Sequence, residues 1–124
     1  KSEIIIKMRN DKAEFFKAVF PINVIRPAYV GKGTRQTFQS YTCYVEKDGY
    51  RDKIRNALAN ENIQSQIGTY ALHLEPAYKK LRRIGNLSNS EKLFGNAITL
   101  PLHRNLTYDD QERICKIIKE TVGD

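Results

Sequence analysis

Two histidines, two cysteines and one dense run of cations hold most of the reactive or ligand-binding potential of this sequence. His73 closes the stretch Gly68-Thr69-Tyr70-Ala71-Leu72-His73. A tyrosine offers a ring face and a hydroxyl, and a histidine offers donors or a proton relay near neutral pH. The same pair in a loop between a strand and a helix can equally just satisfy nearby backbone groups. His103 and Arg104 carry donors suited to phosphate, or form a surface turn before Asn105. Cys43 and Cys115 make neither a disulfide framework nor a metal-ligand spacing, so they read as buried reduced thiols. Gly31-Lys32-Gly33-Thr34 lacks the spacing of a phosphate loop and reads as a flexible turn. Lys79-Lys80-Leu81-Arg82-Arg83 has no interleaved aromatic ring, which a single-strand nucleic-acid groove needs, and reads as a solvated patch.

Composition bounds what these groups belong to. The 124 residues, 40% of them hydrophobic, make one domain able to bury a core without disulfides or metal. A net charge of +7 suits nucleic acid, an anionic small substrate, or solubility alone. No apolar run approaches the roughly 20 residues of a membrane span, and Ile4-Ile5-Ile6 is too short for a signal-peptide core. The expectation is a soluble, cytoplasmic protein with no membrane partner and no export signal. Lys1 in first place, with Met8 the only methionine, leads us to expect a piece of a longer chain.

The elements that must position these side chains follow from periodicity. Residues 3–20 read as a helix with Ile4, Ile5, Met8, Phe15, Phe16, Val19 and Phe20 at helical spacing, interrupted at Asp11-Lys12. Residues 21–36 read as a loop holding Pro21, Pro27, Gly31 and Gly33. TFQSYTCYVE, residues 37–46, reads as a strand, and a helix is predicted from Tyr50 to about Asn60. Ile63 to Ile67 alternates as a short strand, and Pro76 opens a helical turn to Leu81. Ser88-Asn89-Ser90-Glu91 matches a capping box for a short helix ended by Gly95-Asn96. Ile98, Leu100 and Leu102 alternate as a strand that Pro101 makes short or places at an edge. Thr107 to Asp110 starts the last helix, with Ile114, Ile117, Ile118 and Val122 inward and Gly123 closing it. The predicted fold class is α+β, a small three-stranded sheet with helices packed on it.

Several of these segments, in this order, resemble one enzyme family. Ile63 to Tyr78 (IQSQIGTYALHLEPAY), Leu100-Pro101-Leu102-His103 and LTYDDQERICKIIKE resemble the C-terminal region of the DegT/DnrJ/StrS aminotransferases. The matched parts are Ile63 to Ser65, Tyr70 to His73, Pro76 to Tyr78, Leu100 to Leu102, and Leu106 to Gln111. QSYTCYV and YRDKIRNALANENI follow the family's order of elements, and Arg9 to Phe16 is similar to its domain-connecting helix. Gly68 and Thr69 depart from it, standing where many members carry a histidine or another polar residue.

The resemblance implies the C-terminal domain of a fold-type I aminotransferase: residues 1–36 a connecting helix and loop, residues 37–124 the small domain. It implies a two-domain, usually dimeric subunit whose large domain holds pyridoxal phosphate on a lysine. That enzyme moves an amino group, typically from glutamate, to a nucleotide-linked keto-sugar, as in polysaccharide or cell-surface sugar biosynthesis. No lysine here lies in a segment like the family's cofactor motif, so this chain is expected to bind no cofactor and to be inactive alone. By position in the family, Tyr70 and His73 are the first substrate-binding candidates, followed by Gln39, Ser40 and Tyr41. The alternative is a stand-alone basic α+β module for RNA or another anionic partner. Such a sheet would present two or three rings on one exposed strand face, and Phe38 and Tyr44 share a side of the predicted strand opposite Tyr41.

Overall fold

A computed structural model describes residues 1–123; Asp124, the end of the range 37–124, lies outside the described residues. Helix α1 runs Ser2–Val19 without a break. At the expected interruption, Lys7 pairs with Asp11 one turn on at 2.8 Å, and Lys12 reaches across to the Leu106 carbonyl. Ala13 and Phe16 are buried, whereas Ile4 and Ile5 stay 65% and 47% exposed. The apolar stripe of α1 therefore has its C-terminal half covered within this chain and its N-terminal half open.

The segment after Pro21 is more ordered than a loop. Ile25–Pro27 forms strand β1, antiparallel to β2 (Tyr41–Val45), with Ile25 opposite Val45 and Pro27 opposite Cys43. A three-residue strand beside two prolines carries too short an alternation to be read locally; its pairing with β2 creates it. Strand β2 is narrower than residues 37–46. Phe38 lies before it with a positive φ of 47° and packs edge-on to Tyr41, 5.6 Å between centroids. Tyr44 lies beneath the Arg26 guanidinium. The ring platform that an RNA-binding sheet needs is not formed on this strand.

Helix α2 spans Tyr50–Asn60 as its periodicity predicts. The Ile63–Ile67 alternation yields only β3, Gln66–Ile67. Leu72–Leu74 is a 3-10 turn, and Pro76 to Leu81 forms turns rather than a helix. Helix α3 is Ser88–Asn96 and runs straight into β4, Ala97–Leu100. Its capping box does not form. Leu87 precedes the helix, the Ser88 N–H donates to Asn86 Oδ1, and the Glu91 side chain turns instead to His73. Helix α4, Tyr108–Val122, does start on a capping box, with Thr107 and Asp110 exchanging hydrogen bonds, and closes on Gly123 at φ 84°. Those bonds from Thr107 hold the Asp110 carboxyl below the usual carboxylate range.

The sheet has four antiparallel strands rather than three, in the order β1-β2-β4-β3. β4 is central, not an edge. Pro101 is tolerated because pairing with β2 ends at Leu100 opposite Tyr41. Tyr41, Cys43 and Val45 point from β2 into one core with Phe16 and Phe20 beside α1's end, Ile54 and Leu58 of α2, and Ile114 and Ile118 of α4.

Both cysteines are buried and unpaired. Burial, then the Glu112 charge, pushes the Cys115 thiol up to about 12, and burial raises Cys43 and the Tyr41 phenol in the same direction. Each group holds its proton more tightly folded than unfolded, so unfolding exchanges protons to solvent and stability falls as pH rises. For Cys115 the window runs from the ordinary thiol value of 9.0 to about 12. Urea midpoints at constant ionic strength are expected to fall across that window, and less steeply in Cys115→Ala.

Candidate functional site

The loop leaving β3 is built on a close approach. The Gly68 N–H donates to the Ala97 carbonyl at 2.9 Å. A Cβ there would stand 2.6 Å from Ala97 Cβ, 2.7 Å from Thr42 Cγ2 and 3.0 Å from the Ala97 carbonyl carbon. Two of those neighbours are rigid parts of the central strand, so the loop itself would have to lift. Glycine at this position is thus explained by packing against the sheet. Gly68→Ala is expected to cost about 2 kcal/mol through overpacking, read as a lower midpoint in urea unfolding; an unchanged midpoint would show that the loop lifts freely.

Beyond Gly68 the two chemistry-bearing side chains part. Tyr70 is 64% exposed, its ring tilted against Phe94 of α3 at 5.8 Å. Ala71 is buried and plugs the loop to the body of the fold. The His73 ring is largely enclosed, and its Nε2 lies 2.8 Å from Glu91 Oε1. A carboxylate only accepts, so His73 donates through Nε2 to Glu91. Arg83 Nη2 donates to the His73 carbonyl at 3.3 Å.

The other candidates lie elsewhere. Gln39 and Ser40 are exposed ahead of β2, where Tyr41 pairs with Leu100; Gly68 leaves the sheet at Ala97, the opposite end of β4. Tyr41 is buried, stacked on Phe16 at 5.4 Å, with its hydroxyl directed to the Ala13 carbonyl at 3.4 Å. That alternation was legible: Tyr41, Cys43 and Val45 share the inward phase of the strand. His103 and Arg104 sit in the exposed turn after β4. His103 opens onto a cleft of about 490 Å³ shared with Gln66, Thr99 and Arg113.

Three polar residues take roles that the sequence did not mark. Arg51 lay within the predicted helix from Tyr50, Asn96 read with Gly95 as the end of a short helix, and Glu91 as part of a capping box. In the fold Arg51 and Asn96 are buried, Arg51 donating to the Phe94 and Ala97 carbonyls and Asn96 to Asp48 and Tyr44.

The segment from Tyr70 to Ile84 also exposes apolar surface: Tyr70, Leu72, Tyr78, Leu81 and Ile84, the last 84% accessible. Lys79, Lys80, Arg82 and Arg83 are exposed among them. Clustered apolar groups with a polar rim mark a surface that another body covers. A lysine that carries a cofactor as a Schiff base has to be walled in from water. Every described lysine is exposed except Lys12, which is half-buried and already bonded to Leu106. This chain by itself walls in no lysine for that role. No group of three or more His, Cys, Asp or Glu among the described residues is placed to hold a metal ion, and no described helix is long and apolar enough to cross a membrane.

Together these features define a helix-backed antiparallel α+β domain with exposed apolar residues along the segment from Tyr70 to Ile84. The model of the DegT/DnrJ/EryC1/StrS aminotransferase family matches residues 2–119, and the chain belongs to that family. It is 26% identical over 131 residues to the uncharacterized protein MJ1066 of Methanocaldococcus jannaschii, covering all of this chain and 34% of that protein. It superposes on a DegT DnrJ EryC1 StrS aminotransferase from Brucella abortus at TM-score 0.79 and 28% identity, over 96% of this chain and 31% of that one. Spr1654 of Streptococcus pneumoniae, provisionally described as a sugar aminotransferase and solved in PMP, PLP and apo forms, is similar at TM-score 0.81 and 27% identity for its PMP form, over 96% and 31%. Helicobacter pylori PseC, an aminotransferase involved in pseudoaminic acid biosynthesis, shares the fold at TM-score 0.77 and 18% identity, over 94% and 32%. The chain spans about a third of the length of these proteins.

Proposed function

We propose that this chain is the C-terminal small domain of a pyridoxal-phosphate-dependent aminotransferase acting on a nucleotide-linked keto-sugar. Residues 1–36 connect it to a large domain that supplies the cofactor lysine, and the parent subunit is a homodimer. The observation that carries this reading is the open apolar segment from Tyr70 to Ile84, in a chain that spans about a third of its relatives. Leu81 and Ile84, in water next to four cations, suit a face that the large domain covers. The open N-terminal half of α1, with Ile4 and Ile5, supports the same docking. The sugar substrate is supported by the description of Spr1654. The cations from Lys79 to Arg83 suit the diphosphate of a nucleotide sugar, and Tyr70 is the side chain best presented to its sugar. Because this chain encloses no lysine, it flanks the cleft and does not transaminate by itself.

The test is to express the full coding sequence that contains residues 1–124 and follow the cofactor absorbance with glutamate and a nucleotide-linked keto-sugar. The full protein is expected to convert between its two cofactor forms, and the 124-residue chain to leave added pyridoxal phosphate unchanged. A full coding sequence without a cofactor lysine, or turnover by the short chain alone, would overturn the proposal.

A further inference from the structure

We infer that Arg51 is a positioning residue for the loop of residues 68–75, acting through α3 and resting on the reading of that loop as the substrate flank. Arg51 sits in the first turn of α2, 5% exposed. A cation there opposes the helix dipole, so helix preference does not explain it. Its partners do. Nη1 donates to the Phe94 carbonyl at 2.8 Å and to the Ala97 carbonyl at 3.0 Å, and Nε to Asp52 at 2.7 Å. The Phe94 carbonyl belongs to the last turn of α3, where carbonyls lack partners within the helix. Arg51 caps α3 from another element.

The Ala97 carbonyl has a second donor. It also accepts from the Gly68 N–H, the first backbone tie of the loop, so one oxygen joins Arg51 to the loop's root. The loop's other end rests on α3. Glu91 and Phe94, three residues apart and so on one helix face, hold His73 and Tyr70 respectively. Asn96 fixes the same helix end by donating to Asp48 at 2.6 Å and to the Tyr44 hydroxyl at 3.1 Å. No linker separates α3 from the central strand β4, so a shift of α3 carries both loop side chains with it.

In the full-length enzyme, Arg51→Lys keeps the charge but ends on a shorter stem than Nη1 and loses the Nε–H bond to Asp52. It is expected to raise KM for the keto-sugar about tenfold while kcat stays within about twofold, the signature of a misplaced binding group. Glu91 is exposed, so its variants report the same coupling without a folding defect. Glu91→Ala is expected to raise KM comparably, and Glu91→Gln, which keeps the acceptor oxygen, to restore it to within about twofold of wild type. Hydrogen exchange should rise in residues 68–75 for Arg51→Lys and Glu91→Ala while α4 stays protected. Wild-type KM together with unchanged protection of 68–75 in Arg51→Lys would overturn the inference. A wild-type enzyme that transaminates no keto-sugar would remove the proposed function instead, and the exchange pattern alone would then decide the positioning role.

Discussion

Replacing Phe16 with alanine is expected to lower the unfolding free energy by about 4 kcal/mol, within the range for emptying a buried aromatic site. Phe16 is fully buried and stacks on Phe20 at 5.1 Å and on Tyr41 at 5.4 Å. Its ring stacks between α1 and the sheet, so the cavity would open between the helix and β2. The urea midpoint measures the loss, and Ile4→Ala, exposed on the same helix, provides the control with an expected change of about 0.5 kcal/mol or less. The pair also tests the division of the chain at residue 36. A loss below about 1 kcal/mol for Phe16→Ala would mean that residues 1–36 come away from residues 37–123 without unfolding them.

Arg51→Met should cost about 3 kcal/mol, because hydrogen bonds from charged donors contribute more than neutral ones and the Phe94 carbonyl loses its donor, while the Ala97 carbonyl keeps the Gly68 N–H. Methionine nearly matches the stem in volume, so the change isolates the guanidinium. The Phe94 and Ala97 carbonyls would lose their shared donor, and Asp52 its 2.7 Å partner. Thermal melting reads the total loss, which for a chain of this size amounts to roughly 10 °C. Hydrogen exchange locates it, with the first increase expected at residues 94–97. A melting temperature within about 2 °C of wild type would mean that water reaches both carbonyls and replaces the guanidinium.

The elements foreseen best are those whose signals are local. The Thr107–Asp110 cap, the inward stripe around Ile114 and Ile118, and the glycine at 123 lie within the span of α4, and the helix has those bounds. The stripe of α2 was equally legible, and its bounds are Tyr50 and Asn60 as expected. At two of the elements misread, a distant partner had intervened. β1 exists because Val45 and Cys43 offer it a ladder. Glu91 leaves its helix cap because His73 is within reach across 18 residues of chain.

The candidate site divides along the same line. Tyr70 and His73 could be named from the sequence because a tyrosine and a histidine in a loop can each serve a ligand, and the chain's membership of the aminotransferase family now stands on a match across residues 2–119. Their roles could not be told apart there. The fold gives His73 to Glu91 and leaves Tyr70 facing outward, and it buries Tyr41 beneath the aromatic stack of α1.

The sequence alone determined the α+β class, helices α2 and α4 with the cap of α4, and the family. These rest on periodicity, capping chemistry and ordered motifs, each confined to a few consecutive residues. Tertiary structure decided the fourth strand, the central place of β4, the register that sets Ser40 and Gly68 at opposite ends of it, and the burial of Arg51. The physical reason is that strand pairing and the satisfaction of buried polar groups join residues tens of positions apart, and the partner of Arg51 is a pair of carbonyls, which every residue has and no sequence pattern marks.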